Sequence, residues 1–243
     1  MNNLIYMDTI EGNYVKEFDA KVIKNGENYV ILDKTVFYPE GGGQPSDKGY
    51  LIWENKKFEV LKVIKKGDAK HLLKEGIILA GKKVHGMIDW DLRYAHMKMH
   101  TAQHIISAVV FNEYNARTVG NQIHKDYSRV DFYPVNFSDE DIKFIEERCN
   151  EIIKSNAPVK IYKERRDNLE KKFDNHRWNF DLLPKSVKIL RMVEIENFDI
   201  CPCAGTHVKN TKELPPIKII GKENKGKDKC RLIYSFKATN PQF

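Results

Sequence analysis

Two short stretches of the chain carry residue types that hold metal ions. The first, YAHMKMHTAQHIISAVVF, repeats histidine at intervals of four, at His96, His100 and His104. The second, CPCAGTHV, follows about 100 residues later with Cys201, Cys203 and His207. On a helix, side chains four apart leave one face roughly 6 Å from each other, close enough for two imidazoles to share one ion. A zinc-protease helix would read HExxH, with the glutamate as general base. Here Thr101 follows His100, so that chemistry is absent. His96 extends the stripe by one turn, and spacing alone would also let it reach an ion.

Cys203 and His207 are separated by Ala-Gly-Thr, small residues that permit a tight turn. Zinc takes thiolate and imidazole ligands in tetrahedral geometry. Two histidines from a helix and a Cys and a His from a turn make a Cys-His₃ set. Four protein ligands would fill a structural site, three with a water would mark the usual catalytic one, and the sequence leaves both open. Cys201 and Cys203 stand too close in sequence for comfortable joint chelation, which favours Cys203 as the partner of His207. The other cysteines read as structural. Cys149 shares a helical stripe with Ile142, Ile145, Ile152 and Ile153, and Cys230 lies in the apolar run KCRLIYSF.

These residues need elements to position them. Residues 1 to about 85 read as β, with short apolar runs broken at turn formers such as Asn25-Gly26 and Glu54-Asn55. Between the runs lies YPEGGGQPSDKGY. Three consecutive glycines exclude a strand or helix interior. Tyr38-Pro39 and Gln44-Pro45 stiffen both flanks, which a flexible tether would not need. At Asp89 the pattern turns helical, with Asp89 as cap of a helix from Trp90 to about Tyr114. A second helix follows Ser138, with Asp141 completing a capping box, and stops before Pro158. The remainder mixes strands (PVKIYKE, SVKILRMVEI, CRLIYSF) with a short helix over 166–172. The fold class is therefore α+β: a small N-terminal β-barrel domain over 1–88 carrying the glycine-rich loop, then an α+β domain over 89–243.

Hydrophobic residues make up 41% and charged residues 31% of 243, which suits a globular chain and excludes a fibrous or membrane-embedded one. The start, MNNLIYMDTI, lacks a basic stretch followed by an apolar one, so a cytoplasmic protein is expected. Four cysteines do not make a disulfide scaffold. The net charge is +7, and KIIGKENKGKDKCRLIYSFK, from Lys218 to Lys237, concentrates it. Such a tail can contact a phosphate backbone or remain a solvated loop.

HTAQH followed by CAGTHV resembles the editing domain of alanyl-tRNA synthetase and its free-standing relatives, the AlaX proteins. FYPEGGGQPSDKG resembles the glycine-rich motif of the longer AlaX type, and SRVDF (residues 128–132) and KGKDKCRLIYSF resemble other segments of the family. The resemblance covers nearly the whole chain. It implies an α+β editing domain like that of alanyl- and threonyl-tRNA synthetases, with one Zn²⁺ held by His100, His104, Cys203 and His207 and with His96 outside the ligand set. Ala204 stands where the family usually has glycine. It also implies an aminoacyl-tRNA hydrolase with alanine-specific tRNA as partner, removing serine and possibly glycine, and acting in trans because the chain has no room for an aminoacylation domain. Thr101, Gln103 and Thr118 become candidates for the pocket, and Gly42, Gly43 and Gln44 for a loop that closes over it. Arg129 and Asp131 read as structural. No Ser-His-Asp or Cys-His nucleophile is visible, which favours attack by water. Two alternatives stay open: a non-catalytic, zinc-stabilised tRNA-binding module, and an editing hydrolase for another misacylated tRNA.

Overall fold

The computed structural model of the chain describes residues 2–172 and 186–236. Eight strands come first: β1 (Asn3–Leu4), β2 (Glu17–Asn25), β3 (Tyr29–Leu32), β4 (Lys34–Thr35), β5 (Gly49–Trp53), β6 (Lys56–Lys66), β7 (Asp68–Leu73) and β8 (Lys83–Ile88). Six of them close into a barrel in the order β2-β3-β7-β6-β5-β8, while β1 and β4 form a separate parallel pair. Alternation sets the faces: Phe18, Ala20 and Val22 of β2 point inward and their neighbours outward. The β5–β6 turn uses Glu54 and Asn55 at φ 47° and 62°, the left-handed pair a two-residue hairpin requires.

Among the buried side chains of the six barrel strands, His71 is the polar one. It is fully buried, with Nε2 2.9 Å from Oγ1 of Thr35. Burial lowers its pKa to about 4. The unfolded chain, with an ordinary histidine, binds the extra proton over the interval between that value and 6.5. The neutral ring therefore contributes its full stabilisation above pH 6.5 and loses it as the pH falls through 4, a difference on the order of 3 kcal/mol. Melting temperatures across this range should fall more steeply for the natural chain than for His71→Leu. Parallel curves would remove His71 as the cause.

After β8 come α1 (Trp90–Tyr114), β9 (Arg117–Gln122), β10 (Tyr127–Tyr133), α2 (Asp139–Lys154), β11 (Val159–Arg165), α3 (Arg166–Lys172), β12 (Ile189–Ile195), β13 (Asp199–Pro202), β14 (Ile217–Asn224) and β15 (Cys230–Phe236). One sheet runs β14-β15-β10-β9 and another β11-β12-β13. Asp89 caps α1 through the Leu92 amide, and Ser138 and Asp141 form the capping box of α2. Cys149, Ile145, Ile152 and Ile153 are buried in the core that α1 and α2 share with the four-stranded sheet. Asp131 pairs with Arg231 at 2.7 Å and with Arg129 at 3.5 Å.

The glycine-rich loop is pinned to α1. Fully buried Arg93 donates from Nε to both oxygens of Asp47 at 3.0 Å and from its terminal nitrogens to the Asn13 and Val36 carbonyls. Asp47 in turn accepts from the Tyr38 amide at 2.6 Å. In the basic tail, Lys218 and Lys222 pair with Glu146 and Asp139 of α2, Lys229 and Arg231 with Asp131 of β10, and Lys225 with Glu223 of β14 itself. Lys237 lies outside the described residues. Among the described residues, no helix is long and apolar enough to cross a membrane.

Candidate metal centre

His100 and His104 stand on consecutive turns of α1. Cys203 and His207 come from the turn that leaves β13. Together they bring four donor atoms within 4.8 Å of one another. Sγ of Cys203 is 3.6 Å from Nε2 of His100 and 3.4 Å from Nε2 of His207. The three histidines are buried and Cys203 is partly exposed. His96 lies outside this cluster.

Each histidine is oriented through its other nitrogen. Nδ1 of His100 donates to Oε1 of Gln44 at 2.8 Å, Nδ1 of His104 to Asp199 at 3.0 Å, and Nδ1 of His207 to the Thr101 hydroxyl at 3.2 Å. That leaves all three Nε2 atoms free to face one point, the arrangement by which proteins fix the tautomer of metal-binding histidines. The donor set, three imidazoles and one thiolate from two elements, fits zinc.

The turn over residues 203–208 is held by acceptors from three places. The Thr206 amide donates to Gln44, the His207 amide to Oδ1 of Asn13 at 2.7 Å, and the Val208 amide to Thr101. Arg191 on β12 donates to the Cys203 carbonyl at 2.6 Å. At Gly205 a Cβ would sit 2.1 Å from Cε1 of His100, so only glycine lets the turn approach α1 this closely.

The electrostatics favour a thiolate. Burial would raise the Cys203 pKa, but His100 and His207 beside it hold it well below the ordinary thiol value. Burial also opposes charge on His104, yet hydrogen bonds to Asp199 and Cys203 push it up to about 10. His207, buried beside His100, is held well below the ordinary range. The thiolate is the form that binds metal.

The residues singled out in the sequence fall into two groups. Thr101 and Gln44 are buried and support His207 and His100. Gln44 also donates to the Thr206 hydroxyl at 2.9 Å, which ties the glycine-rich loop to the metal turn. Thr118, Gln103 and the Gly42 carbonyl belong instead to a polar row. Thr118 and Ser107 hydroxyls lie 2.7 Å apart, Gln103 donates to Ser107 at 2.7 Å, and Asn121 donates to Gln103 and to the Gly42 carbonyl. Ser107 is three residues past His104, so this row begins one helical turn beyond the cluster. Ser107, Asn121, Asn13 and Asp199 carry no local sequence signal, since single polar residues in a strand or loop announce nothing by spacing.

Gly42 and Gly43 form the tip of a turn closed by the Gly41 and Gln44 backbones. Gly43, at φ 81°, would place a Cβ 2.3 Å from Oδ1 of Asn121, whereas at Gly42 the nearest atom is the Tyr38 hydroxyl at 3.9 Å. Gly43→Ala should therefore displace Asn121 and cut the activity of the site about tenfold or more, and Gly42→Ala should cost less, with metal content kept in both. Equal activities of Gly43→Ala and the natural chain would return the loop to a passive role.

Residues 5–92 match the family model of class II (A) tRNA synthetases, and residues 190–233 match the second additional domain of threonyl- and alanyl-tRNA synthetases. The alanyl-tRNA editing protein AlaX-M of Methanosarcina barkeri is 43% identical over 230 residues, covering 91% of this chain and 95% of that protein. The chain belongs to the AlaX family of alanyl-tRNA editing proteins. AlaX-M of Saccharolobus solfataricus is 38% identical over 240 residues, 94% of this chain and 97% of that one. The alanine–tRNA ligase of Pyrococcus furiosus is 35% identical over 235 residues, 93% of this chain but 25% of the ligase. The AlaX chain thus corresponds to one part of that ligase. Its first matched region contains Gln44 and its second Cys203 and His207, while His100 and His104 lie between them.

Proposed function

We propose that the chain is a zinc-dependent hydrolase that removes serine, and glycine as a second substrate, from misacylated alanine tRNA in trans in the cytoplasm. In this reading residues 1–88 form a barrel domain that delivers the glycine-rich loop, and residues 89–243 form the editing domain. The observation that carries it is the convergence of three Nδ1-anchored histidines and one thiolate, with a row of hydroxyls and amides starting one turn away.

Zinc bound by His100, His104, Cys203 and His207 would orient the ester and polarise it toward water. Gln44, Asp199 and Thr101 hold the ligands in register. Arg191 and Asn13 fix the turn that carries two of them. Ser107 and Thr118 each keep hydrogen-bonding capacity beyond their mutual bond, and that capacity suits a seryl hydroxyl. Cys203, which lies beside the His100 and His207 nitrogens, is taken as a metal ligand rather than a covalent nucleophile, so hydrolysis by water is the reading adopted.

Incubation with labelled Ser-tRNA of alanine identity tests this directly. Free serine should appear, and should cease to appear after chelation. An intact ester in the presence of bound zinc would favour the non-catalytic tRNA-binding module. Serine release from several tRNA identities at equal rates would favour a broader editing hydrolase.

A further inference from the structure

One helical turn before His100, an open cleft of about 360 Å³ lies between Pro45 and Lys48 of the glycine-rich loop, His96 on α1 and residues 124–127 of the β9–β10 connection. Its volume falls in the range of small-ligand sites, roughly 300–1,000 Å³. His96 is 3% exposed, and its Nδ1 has no hydrogen-bond partner among the described residues. Buried polar atoms are nearly always paired, and this one is an exception in the wall of the cleft. Lys48 and Lys125 bring two positive charges to the cleft against the single negative charge of Asp126. Tyr127 is 41% exposed, and its ring lies 5.5 Å from that of His124.

Lysines beside a partly exposed aromatic ring are a combination that holds unpaired nucleic acid, with charge for the phosphate and ring surface for the base. His96 stands ~6 Å along the helix axis from His100. A ligand in the cleft would therefore lie next to an ester held at the metal centre.

We propose that this cleft is a nucleotide subsite that takes the phosphate and base of an unpaired nucleotide just upstream of the aminoacylated end of the RNA. Lys48 and Lys125 meet the phosphate, and Tyr127 and His124 meet the base. The subsite rests on the reading of the metal centre as one that acts on aminoacyl-tRNA. Asp126 limits the net charge, so the base contact contributes to selectivity alongside the phosphate.

Fluorescence anisotropy on the full chain tests it with two labelled RNA hairpins, one with a short unpaired 3′ tail and one blunt. The natural chain should bind the tailed hairpin about tenfold more tightly. The double variant Lys125→Ala, Tyr127→Ala should bind both hairpins within about twofold of each other, with zinc content and melting temperature unchanged. Both side chains are exposed, so the fold should survive the change. An undiminished preference for the tail in the double variant overturns the proposal, as does a natural chain that binds both hairpins equally. Failure of the natural chain to hydrolyse any misacylated tRNA would overturn the reading of the metal centre instead, and the two results are read in separate assays.

Discussion

Cys203→Ala should lose its zinc and nearly all deacylation of seryl-tRNA, while Cys201→Ala keeps both. The two cysteines are two residues apart, yet the fold gives them different surroundings. Cys203 faces the Nε2 atoms of His100 and His207. Cys201 packs against Leu169, Leu190 and Met192 in a small apolar cluster. Removal of an outer partner such as Asp199 would cost roughly 10–100-fold in metal affinity, and removal of a ligand should cost more. Elemental analysis of the purified variants, with single-turnover hydrolysis on the same samples, reads both effects. Stoichiometric zinc in Cys203→Ala, or in the double variant His104→Ala, Cys203→Ala, would overturn the ligand assignment. Loss from Cys201→Ala alone would reverse the choice between the cysteines. A melting curve separates metal loss from unfolding.

Local patterns made much of this legible in advance. Asp89 and Ser138 mark the starts of α1 and α2 because caps are short-range hydrogen bonds. His100 and His104 share a face because a helix repeats every 3.6 residues. Glu54-Asn55 marks its hairpin because few residues accept the left-handed conformation. The contacts that support the ligands were not legible, although Gln44 and Thr101 were themselves singled out. Asp199 meets His104 across 95 positions, Gln44 meets His100 across 56, and Asn13 meets the His207 amide across 194. Each is one polar residue placed by packing of distant elements, with no periodicity to betray it. The same reason explains Thr101. Its position between the histidines suggests a pocket residue, but the helix turns it inward to hold His207. The ion pairs of the basic tail were not legible either, since α2 and β10 supply carboxylates that the tail's own sequence does not reveal.

The largest difference between substrates should be between serine and alanine. The alanine-activating step admits serine because a small apolar pocket rejects an added hydroxyl poorly. In the function proposed above, the second site uses that hydroxyl as its handle. Ser107 and Thr118 would offer it hydrogen bonds one turn from the cluster, with Gln103 and Asn121 behind them. An alanyl ester leaves those groups without the extra partner, at a cost of about 1–3 kcal/mol, or roughly ten- to a hundredfold in rate. Thr118→Val should narrow this gap while zinc stays bound. Single-turnover release of labelled amino acid from Ser-tRNA and Ala-tRNA of alanine identity is the most direct measurement: serine should leave at least about tenfold faster than alanine, and equal rates on the two esters would contradict the sieve.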